Sequence, residues 1–199
     1  MAWFETWFNT PYYHILYKDR NFEEAENFIT LLINDLKIPE HSKIIDLACG
    51  KGRHAVFLNR MGFEVLSLDL SEESISKNKI FENDTLKFKV HDMREAIYPE
   101  ISTQKVDAVC NLFTSFGYFE SEADDKKIFK SVADALKENG FFVLDFLNEQ
   151  LVKNTLVSEA LITKGNIDFH ISKRIEDQHV IKDINFKDQG EAFHFFFFF

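Results

Sequence analysis

The stretch IIDLACGKGRHA, residues 44–55, decides the fold of this 199-residue chain. It begins with an apolar run that only Asp46 interrupts, which is typical of a short buried strand. Gly50 and Gly52 then allow a tight turn, because glycine has no Cβ atom and adopts positive φ without strain. Apolar residues at helical spacing follow the turn. The pattern predicts a strand, a turn and a helix whose free N–H groups and positive dipole end suit a ligand site.

Strands and helices alternate on the C-terminal side of this stretch. Further strands are predicted at Glu64–Leu68, Leu86–Val90, Val106–Leu112 and Phe141–Leu147, and a helix from about Glu122 to Asn139 precedes the last of them. The alternation of apolar and charged residues in Leu86–Val90 indicates an edge strand. This order predicts an α/β fold with a doubly wound, mostly parallel sheet, in which ligands bind beyond the carboxyl ends of the strands.

Three segments are predicted along the chain. Residues 1–40 form an aromatic and helical lid segment, residues 41–150 the α/β core, and residues 151–199 an antiparallel β addition that contains a hairpin. The chain ends in five phenylalanines, Phe195–Phe199, which no strand or helix pattern requires because both patterns need polar residues in between. We interpret this end as a truncation or an artefact rather than as an anchor or a dimer patch.

Composition restricts the functional class. The formal net charge of −10 argues against a broad phosphate-binding surface, so no nucleic-acid partner is expected. Cys49 and Cys110 lie in separate apolar runs and are too few for a zinc site or a disulfide framework. The N-terminus lacks a secretory signal and no run of eighteen apolar residues occurs, so neither export nor a membrane helix is expected. We therefore expect a cytoplasmic protein without a metal site.

The glycine turn allows two interpretations. Gly50-x-Gly52-x-x-Ala55, with Asp69 at the end of the next strand, satisfies the dinucleotide-binding pattern and would indicate an NAD-dependent oxidoreductase. Asp46, four residues before Gly50, argues against it, because a carboxylate repels a pyrophosphate. A ligand that carries an ammonium and a sulfonium is attracted instead. The charge at this turn therefore favours a cationic nucleoside.

Asp46-x-x-x-Gly50-x-Gly52 resembles the first motif of the class I S-adenosylmethionine-dependent methyltransferases. The commonest form of that motif is Asp-x-Gly-x-Gly-x-Gly, so Ala48 stands in place of the first glycine. The resemblance covers roughly residues 40–150 and implies a methyl transfer from S-adenosylmethionine to a small-molecule acceptor. The family usually has two more strands after the fifth, so the resemblance also implies a missing C-terminal portion. The fifth strand is then expected to be an exposed edge unless residues 190–199 cover it or another subunit does so in an oligomer.

The resemblance also implies roles for residues at the other strand ends. Asp69 matches the acid that binds the ribose hydroxyls, and Asp92 with Met93 matches the residues that hold the adenine. Arg53, a cation at a helix start, is expected to bind the methionine carboxylate together with Tyr17. The whole set expected to bind the cofactor is Tyr17, Asp46, Ala48, Gly50, Gly52, Arg53, Asp69, Leu70, Asp92, Met93 and Asn111.

The sequence indicates the residues that bind the methyl acceptor less clearly than those that bind the cofactor. Residues 113–119 resemble the loop that faces the substrate, and Tyr13, His14 and Tyr118 are the candidates for acceptor binding or catalysis. The alternative for the N-terminal aromatic residues is packing in a lid or a core. Two other functions stay open at this point, an NAD-dependent oxidoreductase and a non-catalytic nucleoside-binding module.

Overall fold

The computed structural model describes residues 3–19, 22–119, 121–177 and 179–198. The helices are α1 (Trp3–Trp7), α2 (Pro11–Leu16), α3 (Phe22–Leu36), α4 (Arg53–Arg60), α5 (Glu72–Asn78), α6 (Glu122–Ala135) and α7 (Glu149–Thr155), with a 3-10 turn at Lys79–Phe81. The strands are β1 (Lys43–Leu47), β2 (Glu64–Asp69), β3 (Leu86–Val90), β4 (Val106–Asn111), β5 (Leu136–Leu144), β6 (Glu159–Lys164), β7 (Ile167–Glu176), β8 (His179–Asp188) and β9 (Glu191–Phe198). They divide between two compact units: a core unit of residues 20–146, and an aromatic unit of residues 1–19 and 147–199.

The core unit contains a five-stranded parallel sheet in the order β3-β2-β1-β4-β5. Asp46 on β1 lies opposite Ser67 on one side and Cys110 on the other. The chain first builds outward from β1 to β3 and then returns to place β4 on the other side of β1, so the strand order reverses between β1 and β4. This confirms the predicted doubly wound sheet, with β3 as an edge strand. In sheets of this kind, ligands bind beyond the carboxyl ends of the strands at such a reversal.

Alternate side chains of the parallel strands are buried on both faces of this sheet, as expected when helices cover both faces. Ile44, Val65 and Phe88 belong to one cluster, which α3 and α4 complete. Ile45 and Val109 belong to the other cluster, which includes apolar residues of α6. The central strands therefore have little freedom to shift, and the residues at their carboxyl ends have fixed positions.

The boundary between α6 and β5 differs from the prediction. The helix ends at Ala135 rather than near Asn139, because Leu136 is already extended and pairs with Val106 of β4. The register then shifts, so that Phe141 pairs with Ala108, and Asn139 has a φ of 63° within the irregular part. Asn and Gly are common in turns that need positive φ, and the Asn139–Gly140 pair forms a bulge in the strand instead of ending the helix.

The aromatic unit contains a four-stranded antiparallel sheet in the order β6-β7-β8-β9. The hairpin predicted from the sequence is present as β7 and β8, where Ile171 pairs with Ile184. The aromatic residues of α1 and α2 pack in the same cluster as the inner face of this sheet. The rings of Trp7 and Phe195 have centroids 4.6 Å apart, and those of Tyr12 and Phe186 are also 4.6 Å apart.

The terminal phenylalanines form β9, so the expectation that no folding pattern accommodates them is wrong for Phe195 to Phe198; Phe199 lies outside the described residues. The pleat of the strand separates identical side chains: Phe197 is buried in the aromatic cluster, whereas Phe196 is exposed on the other face. A two-residue turn, Gln189–Gly190, with positive φ at both positions, joins β9 to β8.

The two units do not follow the segment limits predicted from the sequence. Helix α3, which was expected to belong to an N-terminal lid, packs against α4 and is part of the core unit. Residues 1–19 instead group with residues 147–199. The lid function of the N-terminal segment stays a prediction. No helix among the described residues has both the length and the apolar character needed to cross a bilayer.

Candidate functional site

Asp46, near the end of β1, is a carboxylate inside the core unit, with 1% of its surface exposed. The backbone N–H of Ala55, in the first turn of α4, donates a hydrogen bond to it, so Asp46 does support the helix start. Its Oδ2 atom has no hydrogen-bond partner among the described residues. Burial, followed by the charge of Asp69, raises the pKa of Asp46 to about 7. A buried acceptor without a donor is costly, and it identifies a place where a donor or a cation would be stabilised.

The turn after β1 brings its backbone close to open space. Gly50 has a φ of 52°, and apart from its chain neighbours no heavy atom of the described residues lies within 4 Å of the position that a Cβ atom would take there. Gly52 has a φ of 69°, but a Cβ atom at that position would lie 2.8 Å from Cε1 of Phe88. The two glycines therefore differ in function: Gly50 leaves room beside the turn, whereas Gly52 allows the turn to pack against β3. Ala48 also has a positive φ, of 62°, which is strained for a residue with a side chain.

Asp69 ends β2 and faces the glycine turn. Its Oδ2 accepts a hydrogen bond from the amide of Gly50 at 2.7 Å, and its Oδ1 accepts one from the amide of Ser71 at 2.8 Å. Ser71 itself caps α5, because its hydroxyl accepts from the amide of Ser74, so Asp69 is not needed as the cap. Burial raises the pKa of Asp69 although these N–H groups favour its charged form. Leu70, the next residue, is 39% exposed beside the carboxyl end of β2.

Asp92 and Met93 follow β3 in the adjacent position of the sheet. Arg94 binds the Asp92 carboxylate with its side chain, at 2.5 Å between Nη2 and Oδ2, and with its backbone amide at 2.9 Å. Burial alone would raise the pKa of Asp92, but the hydrogen bonds from Arg94 hold it below its ordinary value. Met93 is partly buried against the second core cluster. No sequence pattern indicated the ion pair between Asp92 and Arg94.

Asn111 spans the reversal between β1 and β4. Its side-chain amide donates to the carbonyl of Leu47 at 3.0 Å, and its Oδ1 is buried without a hydrogen-bond partner among the described residues. Asp145, just after β5, accepts from the amide of Phe113 at 2.9 Å and so holds the start of the 113–119 loop. Asp145 was not predicted, because the predicted strand runs to Leu147, whereas β5 ends at Leu144.

Arg53 and His54 begin α4 next to this loop. The Arg53 guanidinium lies 4.9 Å from the ring centroid of Phe113 and 3.2 Å from Oε2 of Glu24. The His54 ring is buried and packs against the same phenylalanine, with 4.9 Å between centroids. Burial lowers the pKa of His54 to about 4, so its imidazole is neutral at neutral pH. The guanidinium of Arg53 is therefore positioned near the start of α4 by the ring of Phe113 and the carboxylate of Glu24.

The remaining predicted residues divide between the two units. Tyr118 lies in the 113–119 loop of the core unit. Tyr13 and His14 lie on α2 of the aromatic unit, where the Tyr13 ring packs edge-on against Trp7, with centroids 5.9 Å apart. Tyr17 follows α2, and its hydroxyl accepts a hydrogen bond from Nζ of Lys182. Within the aromatic unit, the Tyr13 ring packs against those of His14 and Tyr17, with centroids 5.3 Å and 5.2 Å apart.

The structure indicates neither a reactive cysteine nor a metal site among the described residues. Cys49 and Cys110 are free and buried, and burial raises the pKa of both thiols. Within the described part of the chain, no group of three or more His, Cys, Asp or Glu side chains is arranged to hold a metal ion.

Comparison with known proteins identifies the family of this site. A family model described as a methyltransferase domain matches residues 44–140, from β1 into β5. A putative methyltransferase, YqeM, from Bacillus subtilis is 35% identical over 113 residues, which are 56% of this chain and 44% of that protein. A glycine/sarcosine N-methyltransferase from Aphanothece halophytica is 32% identical over 138 residues, which are 67% of this chain and 49% of that protein. The chain thus spans about half the length of these curated relatives.

A solved structure extends the likeness of the fold. An S-adenosylmethionine-dependent methyltransferase from Clostridium acetobutylicum superimposes with a TM-score of 0.71 at 22% identity, over 94% of this chain and 77% of that one. At this identity the likeness concerns the fold alone. Together with the family model, it confirms the resemblance that the glycine turn and the strand ends predicted.

Proposed function

Because residues 44–140 belong to the class I S-adenosylmethionine-dependent methyltransferases, we propose that the chain binds S-adenosylmethionine and transfers its methyl group to a small-molecule acceptor. One observation carries the proposal: a buried carboxylate oxygen of Asp46 without a donor, beside a second carboxylate, Asp69, and an open glycine turn. The residues present fit this cofactor, whose ammonium and sulfonium are cationic.

The charge of the site favours S-adenosylmethionine over a dinucleotide. The charges of Asp46 and Asp69 are close enough to raise the pKa of Asp46. A pyrophosphate at Gly50 would add negative charge next to both carboxylates, whereas a cation stabilises the ionised form of each. An NAD-dependent oxidoreductase, the alternative that the glycine pattern allows, therefore fits the site less well.

Each part of the cofactor has a proposed partner. Asp69 would bind the ribose hydroxyls, because each carboxylate oxygen uses one acceptor position for a backbone N–H group and has another left. Asp46 and Asn111 would bind the ammonium, because each has a buried oxygen, Oδ2 and Oδ1 respectively, without a hydrogen-bond partner among the described residues.

The other parts of the cofactor also have proposed partners. Arg53 would bind the methionine carboxylate, and we keep Tyr17 as a proposed partner there. Leu70 and Met93 would contact the adenine, with Asp92 accepting from its amino group.

Catalysis in this proposal rests on position. When bound, the cofactor supplies a methyl group on a sulfonium, which is already activated for displacement. The fixed ends of β1, β2 and β4 orient it, and alignment of two reactants contributes on the order of 7–11 kcal/mol to lowering a barrier. The chain's own task is to hold the acceptor in line and to exclude water. A general base is needed only if the acceptor arrives protonated.

The acceptor is proposed to be a small molecule, and the glycine/sarcosine N-methyltransferase among the relatives supports an amine. Tyr118, which lies in the loop after β4, and Tyr13 with His14 stay the proposed acceptor residues. We also propose that the protein works in the cytoplasm, and that β5, which is an edge of the described sheet, offers a contact for oligomer formation.

Isothermal titration of the chain with S-adenosylhomocysteine and, separately, with NAD tests the proposal. We expect micromolar binding of the first and none of the second. Transfer of a labelled methyl group to glycine, sarcosine and a set of other small amines then tests the activity. Binding of NAD alone would assign the oxidoreductase function, and binding of S-adenosylhomocysteine without transfer to any acceptor would leave a nucleoside-binding module.

Asp46→Asn isolates the observation on which the proposal rests. The amide has nearly the shape of the carboxylate but no charge, so affinity for S-adenosylhomocysteine should fall about tenfold or more. Asp35→Asn removes an exposed carboxylate on α3 and serves as the control. Unchanged affinity in Asp46→Asn would contradict the role of the buried charge.

A further inference from the structure

Asp145 follows β5, at the edge of the sheet beyond the residues proposed to bind the cofactor. Those residues lie at the carboxyl ends of the other four strands: Asp92 after β3, Asp69 on β2, Asp46 on β1 and Asn111 on β4. In the order β3-β2-β1-β4-β5, a cofactor that contacts all four would have its adenine at β3 and its methionine portion at β1 and β4. The carboxyl end of β5 is therefore the next position in the sheet, on the side of the cofactor that carries the methyl group.

The loop after β4 is held against this strand end. The amide of Phe113 donates to Oδ2 of Asp145 at 2.9 Å, and the amide of Thr114 donates to the Asp145 carbonyl at 3.3 Å. Phe113 and Thr114 both have positive φ, which residues with side chains adopt only where the surroundings hold them. Farther along the loop, a Cβ atom at Gly117 would lie 3.3 Å from Cε2 of Phe146. The loop that the sequence predicts to face the acceptor thus contacts both residues that follow β5.

The charge of Asp145 has no partner in the described part of the chain. No Lys, Arg or His side chain there lies within ion-pair distance of the carboxylate, and its Oδ1 accepts no hydrogen bond from a described residue. Holding a loop amide requires only a hydrogen-bond acceptor, which a neutral asparagine also supplies. The side chain is partly buried, and removing an unpaired charge from water is costly. The negative charge is therefore explained by a cation that binds beside the loop, rather than by the loop itself.

We propose that Asp145 binds the amino group of the methyl acceptor, so that the acceptor is an amine. The inference rests on the proposed methyl transfer and names the residue that selects the acceptor. In methyl transfer to an amine, the nitrogen lone pair forms the new C–N bond while the C–S bond breaks and its electron pair stays on sulfur. The positive charge passes from sulfur to nitrogen, and one N–H proton then leaves for water. A carboxylate beside the nitrogen stabilises this charge as it develops.

Titration of methylammonium chloride into the wild-type chain, saturated with S-adenosylhomocysteine, tests the site without any variant. The resonance of the Asp145 carboxyl carbon is followed by NMR, and sodium chloride at equal ionic strength is the reference. We expect methylammonium to shift this resonance to saturation and sodium chloride to leave it nearly unchanged. Equal responses to the two salts would overturn the inference alone. If S-adenosylhomocysteine did not bind at all, the proposed methyl transfer would be overturned, and the inference with it.

Asp145→Asn separates the charge from the hydrogen bond. Its side-chain oxygen still accepts from the amide of Phe113, so hydrogen exchange of that amide and affinity for S-adenosylhomocysteine should stay close to the wild-type values. The dissociation constant of methylammonium should rise about tenfold or more, because the charge is lost. Asp145→Ala loses both functions, so the Phe113 amide should also exchange faster.

Glu138→Gln is the matched control, because it removes an exposed carboxylate near the other end of β5. This variant should bind methylammonium as the wild type does. An Asp145→Asn variant that kept the Phe113 amide protected and bound methylammonium with wild-type affinity would overturn the role of the charge.

Discussion

Asp69 accepts a hydrogen bond from the amide of Gly50, with 2.7 Å between Oδ2 and N. The bond joins the end of β2 to the turn that follows β1, and the carbonyl of Gly50 is held in turn by the side-chain amide of Asn78 at 2.8 Å. The turn is therefore fixed before any ligand binds. A group that binds to Asp69 meets a carboxylate whose position is already determined, which reduces the entropy lost on binding.

Asp69→Asn is expected to weaken binding of S-adenosylhomocysteine about tenfold or more, because a neutral amide replaces a charged acceptor. Isothermal titration measures the change. Asp84→Asn, which alters an exposed carboxylate before β3, is the matched control and should bind as the wild type does. Equal affinities of Asp69→Asn and the wild type would exclude the ribose role.

The stability of the protein should depend on pH through Asp46. Its pKa rises from 3.8 in the unfolded chain to about 7 in the folded one, so the folded state holds a proton that the unfolded state loses. The free energy of unfolding therefore falls as pH rises from about 4 to about 7. Asn does not ionise, so the free energy of unfolding of Asp46→Asn should not fall in this pH range. Its stability relative to the wild type should therefore rise with pH, by a few kcal/mol near pH 8. Urea unfolding at several pH values measures the difference, and a difference that is constant with pH contradicts the assignment.

Cofactor binding should depend on the same ionisation in the opposite direction. A cation is attracted only by the charged form of Asp46, so affinity for S-adenosylmethionine should decrease as pH falls below about 7. Titration calorimetry across this range, with Asp46→Asn as the reference, measures the effect. The variant should show a flatter profile; a profile as steep as that of the wild type would mean that another group is responsible.

Ala48→Gly should stabilise the protein by about 1 kcal/mol, because glycine adopts the φ of 62° at this position without strain. Thermal unfolding measures the gain. Ala123→Gly, at an exposed position in the first turn of α6, is the control. It should lower the stability of the protein, since glycine reduces helix stability by up to about 1 kcal/mol. A loss of stability in both variants would show that Ala48 is not strained.

Gly50→Ala and Gly52→Ala should differ in their effects on folding stability and on cofactor affinity. The new Cβ atom at position 52 would lie 2.8 Å from the Phe88 ring, so that variant should lose about 2–3 kcal/mol of folding free energy. The new atom at position 50 meets no neighbour, so that variant should lose about 1 kcal/mol while its cofactor affinity falls more steeply. Unfolding and calorimetry on both variants separate the two effects. Equal losses of stability would contradict the assignment of open space to Gly50.

The strand ends were predictable from the sequence because each of them follows a short buried run and is fixed by its own neighbours. The alternation of strands and helices predicted a doubly wound parallel sheet, and the glycine turn identified β1, whereas the order β3-β2-β1-β4-β5 comes from the structure. Asp145 was missed because the predicted fifth strand runs to Leu147, beyond the observed end of β5 at Leu144. The Arg94–Asp92 ion pair was not found, because a pair two residues apart is visible only once the local backbone conformation is known.

The aromatic unit was less predictable. The hairpin of β7 and β8 has an alternating pattern, but β9 does not, since Phe195 to Phe198 carry the same side chain on both faces. The hydrogen bond between Lys182 and Tyr17 joins residues 165 positions apart, and no local pattern indicates it. Contacts of this kind depend on which segments meet, which composition and periodicity do not determine.

The uniform side chains of β9 have a consequence for strand alignment. If β9 slid by one residue along β8, Lys182 and Asp183 would each face another phenylalanine in place of the present one, so hydrophobic contact distinguishes poorly between neighbouring alignments. Alignment must then come from the two-residue link at Gln189–Gly190, where both residues have positive φ. A longer link would permit several coexisting alignments of the C-terminal strand, and its resonances would multiply accordingly.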